Sequence, residues 1–507
     1  MERYEFRRVR LSLTIPSCAA FAPAPSSAVR LIFLLALIFL VAALQGCAAP
    51  STRYLQVETS LLAGDPKQAD QIIERAQPEY GSKSSILYQM DRGMTLQLAG
   101  RYEESNAVLE QADQALEELY TRRVRTETMA FLVNDTELPF EGELFEQVMV
   151  NVLKAINYGA MGNWNEALVE GRKIDHRLNV LSDRIREKEK YRNDAFARYL
   201  SGILYEVTGD LNNAFIAYRN AYDEYRQARA WSRTVVPSML QADLLRVTDA
   251  LHLTQEHEQY RRDFAGVTWR PISDTKSLAH ILVISYNGRA PLKEDQFLDL
   301  PVNLEALNLV LLTKGVTAGS SNQDRRAFES AVYGMNGRVV RVALPRLIPQ
   351  RTQVAYSGVT ISGTNGSFSA RTELVENVGA IAEKNLSDRF AGIAIKAAAR
   401  ATTKYAMAEG IGRGSHAAAG KDLGPLVGLL AGGLAHMLAI ASEEADKRSW
   451  RTLPDEIQIS RLWAPPGDYD LRIQPSGQGG TGAGSETVRA VTLNGGTTKL
   501  FIERVLR

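Results

Sequence analysis

Residues Tyr199–Tyr222 read YLSGILYEVTGDLNNAFIAYRNAY. Apolar and small residues recur every three or four positions on both sides of Gly209, the spacing of two helices joined by a tight turn. Alanine and glycine let such helices approach closely, aromatic rings fill the gaps, and a glycine permits the turn. The pattern returns upstream. Leu153–Ile174 reads LKAINYGAMGNWNEALVEGRKI about Gly162. Gly93, Leu96, Gly100, Tyr102 and Ala112 form another copy, and Gly64, Ala69 and Ala76 keep a reduced one. The turn glycines Gly64, Gly100, Gly162 and Gly209 therefore predict four helical hairpins stacked as repeats.

The spacing of Gly202, Tyr205, Gly209, Ala214, Tyr218 and Ala221 resembles the tetratricopeptide (TPR) motif. The turn glycines stand 36, 62 and 47 residues apart, where a regular array gives about 34. The excess at Thr121–Leu144 and Asp183–Asp194 implies lengthened helices or insertions, and Ser182–Asp194 (SDRIREKEKYRND) reads as a solvated helix face. Residues 47–235 are assigned to the TPR-like α-solenoid and 236–275 to a helical linker. The resemblance implies a concave surface for a protein or peptide. Its candidate lining is Met149, Val152, Ile156, Phe196, Tyr199 and Ile203; the other reading of each is inter-helix core.

From residue 276 the pattern changes. His280–Tyr286 (HILVISY) is β-branched and aromatic, and Asn287-Gly288 follows as a turn signal. Further strands read at Val339–Ala343, Val354–Ile361, Ile457–Trp463, Tyr469–Ile473, Val488–Leu493 and Lys499–Val505, with Asn494-Gly495 expected as a hairpin turn joining the last two. This predicts a β-sandwich-like domain over 276–507 with a two-helix insertion at about 371–448, and for the whole chain an α+β multidomain fold. The insertion would hold a long amphipathic helix at Glu373–Ile411 and the uncharged run Gly424–Ala441 (GPLVGLLAGGLAHMLAIA). That run reads as a buried helix, or alternatively as a membrane-inserting hairpin.

Three blocks carry a closer resemblance: YNGRAPLKED (Tyr286–Asp295), ENVGAIAEKNLSDRFAGIAIKAAARATTKY (Glu376–Tyr405) and ADKRSWRTLPDEIQISRLWAPPGDY (Ala445–Tyr469). They resemble an uncharacterised family of proteobacterial TPR-containing outer-membrane lipoproteins. Lys447 stands where that family typically has threonine. Its genes often lie beside those of lipoproteins resembling activators of penicillin-binding proteins, which implies work at the cell envelope but assigns no residue a role.

The N-terminus agrees with that resemblance. Arg7, Arg8, Arg10 and Arg30 precede fourteen apolar residues, Leu31–Leu44, too short for a comfortable membrane span and suited to a signal-peptide core. Leu44-Gln45-Gly46-Cys47 then resembles the lipobox of bacterial lipoproteins, with Gln45 a less usual occupant. The resemblance implies cleavage after residue 46, a lipid on Cys47 and, from Ala48 rather than aspartate, an outer-membrane address facing the periplasm. Translation is expected to begin nearer Val29, since the leader is long. Cys18 would leave with the leader, so the mature chain would hold one cysteine and no disulfide. It would carry 54 basic and 56 acidic residues, a net charge of −2. That balance excludes nucleic acid as an expected partner and leaves membrane attachment to the lipid.

The sequence offers no catalytic, metal or cofactor set. His252 and His257 lie five apart, off the i, i+4 face a zinc protease needs, and read as a solvated helix surface. Ser273-Asp274-Thr275-Lys276 matches S-x-x-K, but without its companion motifs. Gly410–Lys421 approaches a phosphate loop in the wrong glycine register. The expectation is a non-catalytic scaffold holding envelope proteins; the alternatives are a membrane-active component using 424–441 and an envelope enzyme acting on peptidoglycan.

Overall fold

The turn glycines do what the sequence asks of them. In the computed structural model Gly64, Gly100, Gly162 and Gly209 all have φ between 74° and 83°, the left-handed region where a Cβ is penalised. The structure describes residues 50–123, 135–184, 194–301, 339–394, 396–398 and 444–506. The chain divides into Met1–Thr52 and Arg53–Arg507, and the packing below belongs to the second unit.

Helices α1 (Pro50–Leu62) and α2 (Pro66–Arg75) form the first hairpin, α3 (Ser85–Leu98) and α4 (Tyr102–Arg123) the second. Next come α5 (Leu144–Ala160) with α6 (Trp164–Arg184), and α7 (Ala195–Val207) with α8 (Leu211–Ser232). At Gly209 the turn closes by Asp210 N–H donating to Tyr205 O at 2.8 Å, and the Asp210 carboxylate then caps α8 through Asn213 N–H. Gly64-Asp65 repeats the device, Asp65 accepting from Gln68 N–H at 2.9 Å. The small residues of the first helices are required by packing. A Cβ on Gly202 would lie 2.3 Å from the Tyr218 ring, and one on Gly93 2.4 Å from Leu109.

The segment 236–275 holds a further hairpin, α9 (Ser238–Ala250) and α10 (Thr254–Asp263), followed by a short turn of helix at Ile272–Thr275. Its turn uses His252, at φ 54°, where the other hairpins use glycine. Leu253 N–H donates to Thr248 O at 3.0 Å, the same closure.

Among the described residues ten strands follow: β1 (Ala279–Asn287), β2 (Leu292–Pro301), β3 (Val339–Ile348), β4 (Val354–Gly363), β5 (Gly366–Arg371), β6 (Glu373–Asn377), β7 (Glu456–Ala464), β8 (Gly467–Gly477), β9 (Thr487–Leu493) and β10 (Thr498–Val505). They form a mixed sheet in the order β10-β1-β7-β6, a hairpin β2-β3, and an antiparallel sheet in the order β5-β4-β8-β9. All seven strands read from the sequence are present. Two other expectations are corrected. Asn494-Gly495 is no two-residue hairpin, because β9 pairs with β8 while β10 runs parallel to β1, His280 opposite Thr498. The turn carries the chain from one sheet to the other. The helix expected from Glu373 starts five residues later: Glu373–Asn377 pairs with β7, and Asn377 caps helix α11 (residues 378–394) by accepting from Ala380 N–H at 2.8 Å.

Every residue of β1 is buried, which explains its nearly unbroken apolar run. Ala279, Ile281 and Val283 pack against Val359, Ile361, Leu471 and Ile473 of the antiparallel sheet. The alternate residues Leu282, Ile284 and Tyr286 join the helices in one large core. The result is three layers: helical hairpins, mixed sheet, antiparallel sheet. The two four-stranded sheets share a core, but they are not a separate domain, since the mixed sheet lies between the other sheet and the helices.

Candidate functional site

The first helices of successive hairpins, α3, α5 and α7, turn toward the sheet. In TPR-like arrays these helices line the concave surface, and here the chain covers that surface itself. The Cβ position of Gly159 on α5 comes within 3.1 Å of Leu500 of β10, and Tyr225 of α8 donates its hydroxyl to Val375 O of β6 at 2.8 Å. The six candidate groove residues, Met149, Val152, Ile156, Phe196, Tyr199 and Ile203, are all fully buried. They belong to the core that contains Leu282, Ile284, Ile457, Ile459, Leu500 and Ile502 of the mixed sheet. None is offered to solvent, so their reading as an open partner groove is corrected to a face closed in cis.

Two polar constellations fasten this closure. The first is the irregular strap Ala445–Asp455, which crosses α3 and α5. Trp450, 1% exposed, donates its backbone N–H to Glu146 at 2.7 Å and its indole N–H to Thr452 Oγ1 at 2.9 Å. Thr452 in turn donates to Asp91 Oδ1 at 2.9 Å. The other oxygen of Asp91 accepts from Tyr80 at 2.9 Å and from Tyr54. Arg448 reaches Leu138 O at 3.0 Å. A buried carboxylate is tolerable only when its lone pairs are used, and Asp91 is built for this strap.

The second centres on Arg461 of β7, whose side chain is 2% exposed. It donates to Asp243, to Glu206 at 3.1 Å and to Tyr218 OH at 3.3 Å. Its Nε–H donates to His280 Nε2 at 3.1 Å. Tyr199 donates to Asp243 at 2.8 Å, and Arg246 bridges Glu206 and Asp243 at 2.7 and 2.6 Å. Two guanidiniums meet two carboxylates, so the cluster is neutral overall. Burial opposes ionisation of Glu206, but Arg246 and Arg461 outweigh it and hold the carboxyl well below its usual range. Burial, aided by Arg461, keeps His280 well below the ordinary histidine value, so it stays neutral and accepts from Arg461. Its Nδ1 then donates to Thr498 Oγ1 at 3.2 Å.

A carboxyl pair stands out at the start of α5, Glu143 at its N-cap and Glu146 in its first turn. Lys293 and Arg389 overcome burial and pull Glu143 down to about 2, while burial pushes Glu146 up to about 7. Opposed pKa values on neighbouring acids are the mark of an acid–base pair. The adjoining cavity, lined by Lys293, Leu347, Trp450 and others, holds about 20 Å³. That is room for one water, against the roughly 300–1,000 Å³ of a substrate cleft, and both Glu146 oxygens already accept backbone N–H groups. The pair is positional.

At the far end of the seam Glu376 of β6 and Glu224 of α8 lie buried near Asp194, with Arg198 donating to Glu224 at 2.6 Å. Burial raises Glu224 to about 7, and burial with Asp194 and Glu224 raises Glu376 well above its usual value. The folded chain therefore holds protons that the unfolded chain has released. Stability falls as pH rises from the ordinary 4.5 of Glu224 through about 7, at up to ~1.4 kcal/mol per pH unit per group. Glu146 and Glu456, both raised to about 7 by burial, add the same sign. Denaturation of Glu224→Gln at several pH values should show about 3 kcal/mol less loss than wild type. An identical pH slope in the two proteins would refute the assignment.

Cys47 and its lipobox Leu44, Gln45 and Gly46 lie outside the described residues, as do Gly410–Lys421 and Gly424–Ala441. Among the described residues no helix is long and apolar enough to cross a membrane, and none of their acidic, histidine and cysteine side chains form a group that could hold a metal. His252 makes the turn described above. His257 is not on an open surface: its Nδ1 lies 3.1 Å from both Thr248 Oγ1 and Leu245 O. Ser273 hydrogen-bonds its neighbour Asp274. Sequence reasoning missed Asp91, Glu206, Asp243 and Arg461. Their signal is a charge set into an otherwise apolar helix or strand face, as in LYQMDRGM (Leu87–Met94).

No protein-family model matches the chain, and no curated protein does. Solved structures similar to it are TPR-like proteins matched over its helical part. MamA from Desulfovibrio magneticus RS-1, residue 41 to the end, is 13% identical over 43% of this chain and 92% of its own, with a TM-score of 0.27. A MamA RS-1 double mutant gives 12%, 43%, 93% and 0.28. A structure of nearly identical TPR-like repeats from Podosopora anserina gives 15%, 44%, 97% and 0.29.

Proposed function

We propose that the chain is a non-catalytic, lipid-anchored scaffold of the bacterial cell envelope, held at the outer membrane through Cys47 and facing the periplasm. What supports the reading is the fusion of helical hairpins and sheets into one body whose buried charges are spent on joining the layers. The acid pair with opposed pKa values has no room for a substrate beside it. Partners would meet the outer faces of the hairpins rather than the filled concave face. The lipobox-like LQGC and the resemblance of Ala445–Tyr469 to envelope lipoproteins support the proposed location.

The test is lipid labelling and membrane fractionation, followed by in-cell crosslinking. Wild type should take up labelled palmitate and fractionate with the outer membrane, and crosslinking should recover other envelope proteins. Cys47→Ala should lose the label. A label retained in that variant would remove the anchor, and capture of no envelope protein would remove the scaffold.

A further inference from the structure

At the C-terminal end of the hairpin stack, an open cleft of about 370 Å³ runs between α8 and α10. Tyr222, Arg226 and Arg229 form one wall, Val235 and Val236 another, and Phe264 lies at the base. Arg219, Tyr222, Arg226, Arg229 and Arg233 recur at intervals of three and four along α8 and its cap, so one helix face carries four guanidiniums. All four arginines are exposed. Arg219 lies over Phe215 and Arg226 over Tyr222, at 5.5 and 5.4 Å. Among the described residues none of the four is ion-paired, whereas Arg246 and Arg461 at the sheet seam are. The base is aromatic: Phe264 stacks on Tyr260 at 5.2 Å and meets Tyr222 edge-on at 5.4 Å. Arg233 has φ 60°, a conformation that favours glycine, and it starts an irregular stretch in which Val235 is 60% exposed.

We infer that this cleft docks an extended, acidic segment of a partner protein. Guanidinium forks match carboxylates in a way that isolated ammonium groups do not. Val235, Val236 and Tyr222 would take an apolar side chain of the same segment, and the stretch Arg233–Pro237 runs beside it as backbone that belongs to neither helix nor sheet. The one carboxylate of the lining, Asp263, would face the segment's backbone N–H groups. A phosphate or a lipid headgroup would use the arginines but not the valine wall. The inference rests on the scaffold reading and names its docking surface.

The test is fluorescence anisotropy on the full chain in detergent, with a labelled peptide of alternating glutamate and leucine as probe. Binding is expected to weaken as salt is raised and to fall at least tenfold in three cases: with glutamine in place of the peptide's glutamates, in Arg226→Glu/Arg229→Glu, and in Val235→Asp. Arg261→Glu, on α10 and paired with Glu258, should leave it unchanged. The inference is overturned by no binding, by equal loss in Arg261→Glu, or by no loss in Val235→Asp, which would mean charge attraction alone. It is also overturned if phosphatidylglycerol vesicles bind through Arg226 and Arg229 and the peptide does not. Envelope partners still captured in any of those cases would leave the scaffold reading standing without this surface.

Discussion

Replacing Arg461 with alanine is expected to destabilise the full chain by about 3–5 kcal/mol, the cost of stranding a buried ion-pair partner. Glu206 and Asp243 would be left with Arg246 as the remaining cation of the cluster, in a seam where Asp243 is fully buried and the Glu206 side chain is 13% exposed. His280 would lose the donor that fixes its tautomer, and Tyr218 would lose a polar neighbour. Chemical denaturation followed by circular dichroism and by tryptophan fluorescence measures the loss, and the two signals should move together. A cost under about 1 kcal/mol would mean that the guanidinium is solvated and the seam open. Replacing Arg461, Glu206, Asp243 and Arg246 together with apolar residues should cost much less than Arg461→Ala, because no unpaired charge remains.

Trp450→Ala is expected to cost a similar ~3–5 kcal/mol, the range for deleting a buried tryptophan. The indole fills the space between α5 and the strap and borders the small cavity beside Glu146. Removing it enlarges that cavity and admits water to a carboxyl held at about 7 by burial. The substitution should therefore also lower the Glu146 pKa toward the ordinary glutamate value, which carboxyl titration by nuclear magnetic resonance would follow. Trp450→Phe keeps most of the volume and should recover more than half of the stability. A variant that loses stability while Glu146 stays near 7 would show that the strap does not shield that carboxyl.

The helical half was legible because its turns need glycine and its helix contacts need small residues, and both requirements are local. Gly202 and Tyr218 touch within one hairpin, so their spacing alone carries the information. The fifth hairpin was hidden because His252 performs the turn that glycine performs elsewhere. The seven strands were legible from their β-branched runs, while β2, β5 and β6 were not: the five residues of β6 blend into the amphipathic helix that Asn377 starts. The partner of each strand was illegible too, since β9 and β10 look like a hairpin and pair with different sheets. The same limit governs the concave face. Periodicity says that Met149, Val152 and Tyr199 are covered, and both a foreign peptide and the chain's own sheet satisfy it. The deciding residues are the charges, since Asp91, Glu206 and Asp243 wait for Thr452 and Arg461, more than two hundred positions away.

The mixed sheet and the strap fill the concave face of the helical repeats, and the layers are expected to open as one cooperative unit. Hydrogen–deuterium exchange of the full chain under native conditions tests it most directly. Amides of α5, α7, β1 and β7 should exchange with one common opening free energy, which Arg461→Ala lowers in all four together. Helices that exchange independently of β1 and β7, unmoved by Arg461→Ala, would contradict it and return the concave face to an outside partner.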